Sequence, residues 1–168
     1  LDADAARLWG RLQQQQREGG APLGVRAYNA RLYERATAGD WRSALQLLDA
    51  MGPDGTPPDA SSVSHTARAC GRAGAWEEAT SLLRRASDAY GVPPDERVHC
   101  SAMQACGKAG EWQEALRILD EAEATLGGPS LKLYGAAMGA VSSAEGQWAE
   151  CLRLLERMQT AGIEADIG

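Results

Sequence analysis

Four cysteines and two histidines are the residues of this 168-residue chain best suited to site chemistry. Cys70, Cys100, Cys106 and Cys151 contain no C-x-x-C pair, and neither His65 nor His99 completes a zinc-like spacing with them. No metal site is expected. A disulfide framework is not expected either, because a chain of this length builds a core without one. Four free thiols suit a reducing compartment: cytosol, mitochondrial matrix or plastid stroma. No Gly-rich phosphate loop follows a strand, and no nucleophile stands beside an evident base. No His-x-Glu accompanies a C-x-x-C as a zinc deaminase requires. The residues point to a binding protein without cofactor, not to an enzyme, and give no sign of a small-molecule substrate.

Composition agrees with a folded chain, at 44% apolar and 24% charged residues. No apolar run approaches the ~20 residues of a membrane-spanning helix, so membrane insertion is not expected, and no signal peptide with its charged and apolar regions is present. A formal net charge of -6 argues against a simple polyanion binder.

The elements that would position any site are set by an internal repeat, and tryptophan marks it. Trp41, Trp76, Trp112 and Trp148 are spaced 35, 36 and 36 residues apart. Each follows a glycine by two positions (Gly39, Gly74, Gly110, Gly146). A small residue comes three later: Ala44, Ala79, Ala115 and Cys151. An aliphatic pair follows: Leu47-Leu48, Leu82-Leu83, Ile118-Leu119 and Leu154-Leu155.

Each unit reads as two helices. In the first, Tyr28, Leu32 and Ala36 recur four apart over 25–38. Gly39 is suited to a C-cap and Asp40 to the next N-cap. The second helix runs to about Met51, with Trp41, Ala44, Leu45 and Leu48 on one face. Gly55-Thr56-Pro57-Pro58-Asp59 breaks it, as Gly91-Val92-Pro93-Pro94-Asp95 and Gly162-Ile163-Glu164-Ala165-Asp166 break the second and fourth units; Gly127-Gly128-Pro129-Ser130 is a degenerate version. One hairpin cannot bury both apolar faces, so the expected fold is all-α: a solenoid of stacked antiparallel helix pairs. Small residues at matched positions let helices approach closely, and the four tryptophans are expected between successive hairpins as packing anchors. The expected units are 25–59, 60–95, 96–130 and 131–166, preceded by the second helix of a partial unit over 1–24 with Ala5, Leu8, Trp9 and Leu12 as its stripe. Neither end offers a polar cap, which suggests a piece of a longer array.

These residues resemble the pentatricopeptide repeat family, a 35-residue helical hairpin with Tyr-Asn early in the first helix and Pro-Asp at its end. Tyr28-Asn29 and Pro58-Asp59 match it, as do Cys70-Gly71-Arg72-Ala73-Gly74 and Cys106-Gly107-Lys108-Ala109-Gly110. The tetratricopeptide family has a 34-residue period and a different pattern. The resemblance implies binding of single-stranded RNA, roughly one base per repeat, in a mitochondrion or chloroplast, for RNA processing, stability or translation. It implies base-reading pairs at Asn29 with Asp59, Ser64 with Asp95, Cys100 with Ser130 and Gly135 with Asp166. Asn with Asp resembles a uracil reader and Ser with Asp a weaker, guanine-favouring one. Cys with Ser departs from the pattern, and Gly has no hydrogen-bonding side chain. The same Asn, Ser and Asp residues would also serve as helix and turn caps.

Charge is distributed unevenly over these units. First helices taken as 25–38, 60–73, 96–109 and 131–145 hold eight basic and three acidic residues, net +5, which leaves -11 elsewhere. A basic groove with an acidic back is therefore compatible with net -6. Arg26, Arg68, Arg72, Arg97, Lys108 and Lys132 are the candidates for phosphate contact, with Arg26, Arg97 and Lys132 at one repeat position. His65 and His99 occupy different repeat positions and read as surface or packing residues. The alternative is a structural subunit of a large organellar assembly, such as a ribosome with its ribosomal RNA or a membrane complex, making mainly contacts with protein subunits.

Overall fold

The computed structural model describes residues 10, 14, 24–128, 130–144 and 146–163. The expected leading helix over 1–24 therefore lies almost wholly outside the described residues. From Val25 onward the described residues form eight helices: α1 (Val25–Ala38), α2 (Trp41–Met51), α3 (Ala60–Ala73), α4 (Trp76–Tyr90), α5 (Glu96–Ala109), α6 (Trp112–Thr125), α7 (Leu131–Ser142) and α8 (Trp148–Thr160). The described residues contain no strand.

Short polar side chains start the helices. Asp40, Asp59, Asp95 and Ser130 each accept a backbone N–H three residues on, from Ser43, Ser62, Val98 and Leu133, which satisfies a donor the first helical turn would leave orphaned. Gly39, at φ 70°, ends α1 in the left-handed conformation that a side chain resists. The α7 helix is shorter than its sequence suggests and stops at Ser142 rather than reaching 145. Ser142 and Ser143 both donate their hydroxyls back to the Gly139 carbonyl, a local alternative to continuing the helix. Glu145 lies outside the described residues.

Stacking follows from which faces are apolar. The first helices α1, α3, α5 and α7 pack each on the next, and α2, α4 and α6 each lie against two successive first helices. Second helices meet one another through side chains: Arg84 of α4 donates to Glu114 of α6 at 2.9 Å, and Arg157 of α8 pairs with Asp120 of α6 at 2.6 Å. One core runs through the stack, from Tyr28, Leu32 and Leu48 past Leu82 and Met103 to Leu119, Tyr134 and Met158. Burying a side chain such as Leu48 or Leu119 contributes about 1.5–3 kcal/mol. Close approach depends on glycine: a Cβ on Gly71 would lie 2.7 Å from the Ser101 carbonyl oxygen, and one on Gly107 would lie 2.6 Å from Ala140 Cα. Cys70 and Cys106 precede these glycines and are fully buried.

The tryptophans divide. Trp41, Trp76 and Trp112 are half-buried against the core. Trp148 is 71% exposed, contrary to its expected role as a packing anchor. The reason is geometric: α8 packs its backbone on α7 and reaches α6 through Arg157, paired with Asp120 at 2.6 Å, and no described helix covers Trp148.

A candidate nucleic-acid interface on the first helices

With second helices packed against them from one side, the first helices present one open face. Its residues recur at helical spacing: Arg26, Ala30 and Tyr33 on α1; His65, Arg68 and Arg72 on α3; Arg97, Ser101, Gln104 and Lys108 on α5; Lys132, Ala136 and Gly139 on α7. Between α3, α5 and α7 this face hollows into a groove of about 530 Å³, bounded by Arg68, Cys100, Gln104, Lys108 and Gly139. A second hollow beside it brings His65, Arg68, Arg97 and Lys132 together with Ser64 and Glu96.

The six cations differ in their surroundings. Arg97 is paired with Asp95 at 2.9 Å, and Lys132 with Glu96 at 3.5 Å. Lys108 Nζ donates to the Arg72 carbonyl at 2.7 Å. Arg26 and Arg72 are exposed, with no acidic side chain paired to them among the described residues. Arg68 is the most constrained. Its Cζ stands 4.9 Å from the Tyr33 ring centroid. Its Nε and Nη2 are buried yet have no hydrogen-bond acceptor among the described residues. Each unmet buried donor costs about 1–3 kcal/mol. Tyr33 also meets the His65 ring edge-on, centroids 5.6 Å apart. His65 thus lines the second hollow, a more specific place than its sequence suggested. Burial, then the Arg68 and Arg97 charges, lower its pKa from 6.5, with Asp59 acting the other way.

The expected reading pairs are unequally assembled. Asn29 Nδ2 donates to both carboxylate oxygens of Asp59 at 3.1 Å. Asp59 caps α3 at the same time, so the two expected roles coexist in one carboxylate. Burial would raise the Asp59 pKa, but hydrogen bonds from Ser62 and Asn29 outweigh burial and hold it below 3.8. Ser64 is buried and Asp95 caps α5, with no hydrogen bond between them. Cys100 Sγ points at the Lys132 carbonyl at 3.7 Å, while the Ser130 hydroxyl donates to Glu96. Gly135 is exposed, and a Cβ there would meet nothing within 4 Å. Its partner Asp166 lies outside the described residues.

Cys70, Cys100 and Cys106 are not poised for reaction. Burial, then nearby carboxylates, push Cys70 up to about 12 and Cys100 and Cys106 up to about 11. Among the described residues no three His, Cys, Asp or Glu side chains converge as a metal site. Tyr33 and Ser62 were not singled out by the sequence. Tyr33 lies two helical turns from Arg26 on the same stripe. Ser62 is polar where the other units carry Ala27, Val98 and Leu133.

The architecture is that of a helical-repeat solenoid. The pentatricopeptide repeat family matches residues 98–124 and 141–163. The pentatricopeptide repeat protein PPR10 from maize superposes with TM-score 0.74 at 30% identity, over 98% of this chain and 23% of PPR10. PPR10 in complex with an 18-nucleotide psaJ RNA element gives 0.73 at 22% identity, over 91% and 22%. The pentatricopeptide repeat domain of Arabidopsis thaliana protein-only RNase P 1, in complex with tRNA, gives 0.68 at 18% identity, over 94% of this chain and 82% of that domain. The last two likenesses show the fold alone. No curated protein matches the chain in sequence. The chain belongs to the pentatricopeptide repeat family.

Proposed function

We propose that this chain is an RNA-binding module that receives single-stranded RNA along the open face of α1, α3, α5 and α7. One observation carries the reading: that face gathers Arg26, Arg68, Arg72, Arg97, Lys108 and Lys132 beside the joined pair Asn29 and Asp59. Backbone phosphates would take the cations, and the unmet Nε–H and Nη2–H donors of Arg68 suit a phosphate oxygen. Base edges would meet the positions of Asn29 and Asp59, Ser64 and Asp95, Cys100 and Ser130, and Gly135 and Asp166, with discrimination strongest at the first. The chain would act by binding, and a second complex of PPR10 with an 18-nucleotide psaJ RNA element, at 27% identity, supports RNA as the ligand; action without catalysis is part of the same proposal. Action in a mitochondrion or chloroplast, in RNA processing, stability or translation, is part of the same proposal and follows the family.

A second reading, a structural subunit held mainly by protein contacts, is favoured by the ion pairs that neutralise Arg97 and Lys132. The deciding experiment is crosslinking of the full chain in its own cells, followed by sequencing of recovered RNA and identification of co-purified proteins. A discrete single-stranded site supports the proposal. Ribosomal RNA with many ribosomal proteins supports the second reading, and absence of RNA overturns the first.

A further inference from the structure

The amide of Asn29 is held at both ends by the next hairpin. Nδ2 donates to Asp59 at 3.1 Å. Oδ1 accepts from the Ser62 hydroxyl at 2.6 Å. Ser62 is itself fixed, because it is fully buried and forms the other half of a capping box with Asp59. Its backbone N–H reaches Asp59 Oδ1 at 2.8 Å, and its Oγ receives the Asp59 backbone N–H at 3.3 Å. The hydroxyl also lies 3.0 Å from Asp59 Oδ1, but its single proton has the shorter path to the amide. The equivalent residues of α5 and α7 are Val98 and Leu133, which cannot donate from their side chains.

We propose that Ser62 is a specificity-determining positioning residue, which fixes the sense of the Asn29 amide and hence the base that unit accepts. The inference rests on the reading of Asn29 and Asp59 as a base-reading pair. An amide offers two N–H donors and two oxygen lone pairs. Here one donor is spent on Asp59 and one lone pair on Ser62, so the free donor and free acceptor stand in a set order. Uracil presents a carbonyl acceptor beside its ring N–H, whereas cytosine presents an amino donor beside an unprotonated ring nitrogen. Rotating the amide by half a turn exchanges donor for acceptor and so favours cytosine over uracil. Asp59 alone resists that rotation from one end, and Ser62 closes the other.

The test uses the full chain and an RNA selected from a random pool, remade with each of the four bases at every position. Asn29→Ala identifies the position facing this unit as the one whose base preference it flattens. If it flattens none, the base-reading pair itself fails and the role of Ser62 falls with it. Given such a position, Ser62→Ala is expected to reduce the uracil-over-cytosine ratio there by about three- to tenfold, the worth of one neutral hydrogen bond. Preferences at other positions should not change, and Ser62→Thr should restore the ratio. An unchanged ratio in Ser62→Ala, with Asn29→Ala still flattening it, overturns the proposal. Equal loss of preference at all positions also overturns it, as that is the mark of a merely structural residue. Ser62→Cys keeps the volume, loses the strong donor and serves the same comparison should Ser62→Ala not fold.

Discussion

Gly107 of α5 lies directly against Ala140 of α7: a Cβ built on the glycine would stand 2.6 Å from the alanine Cα and 3.0 Å from its Cβ. The clash is with backbone on a neighbouring helix, which cannot rotate away. Gly107→Ala should therefore push the two first helices apart and destabilise the chain by about 1–3 kcal/mol. Gly139→Ala is the contrasting change, because a Cβ there meets nothing within 4 Å. It should stabilise α7 by about 0.5–1 kcal/mol. Thermal or denaturant unfolding of the two variants at one pH checks both signs.

Arg68 should show opposite effects on stability and on binding. Its buried Nε and Nη2 have no acceptor among the described residues, yet its guanidinium stacks on Tyr33. Arg68→Leu keeps apolar bulk near the ring and removes the unmet donors. It should raise unfolding stability by about 1 kcal/mol. Binding should weaken for every RNA sequence alike, and the slope of log affinity against log salt should shallow by about 0.7. Loss of stability together with unchanged affinity would show that Arg68 serves packing alone.

Lys132 and Arg97 stand where phosphates are expected, but each is already paired. Glu96→Gln removes the carboxylate 3.5 Å from Lys132 while keeping a side chain able to accept from Ser130. Affinity for RNA should rise and the salt slope should steepen by about 0.7, one released cation's worth for a single strand. Arg97→Ala should weaken binding less than Arg72→Ala, because Asp95 neutralises Arg97 beforehand. Titrations at two or more salt concentrations measure both comparisons.

Local rules made most of the helical framework readable from residues alone. Gly39 and Asp40 mark a helix end and start through backbone conformation and capping, which act over three or four residues. Stacking was equally legible, since the apolar faces of the helices had no other way to be buried. The exposure of Trp148 was not, because it depends on which helices lie over α8 rather than on α8 itself. The early stop of α7 depended on two serine hydroxyls choosing the same carbonyl. At the candidate site, residue types disclosed where cations gather. They did not disclose that Arg97 and Lys132 are neutralised or that Ser62 reaches across to Asn29, since these contacts depend on side-chain directions between neighbours.

His65 should make RNA binding depend on pH. It lines the hollow beside the groove with Arg68 from its own helix, Arg97 and Glu96 from α5 and Lys132 from α7, while Tyr33 of α1 meets its ring and Asp59 before α3 acts on its charge. Burial, and then the two arginines, hold its pKa below 6.5, so the imidazole is neutral at pH 7. A phosphate entering this hollow favours the charged imidazole and raises that pKa in the complex. The sign follows from linkage: the protonated form binds more tightly, so the gain in affinity is complete below the free-state pKa. It is lost as pH rises through the higher value of the complex. Affinity measured from pH 5 to pH 8 should therefore fall with rising pH. His65→Gln should flatten that profile and leave the affinity near pH 8 almost unchanged. A profile that stays equally steep in His65→Gln would assign the proton to another group. A flat profile in the unmodified chain would mean that phosphates do not enter this hollow.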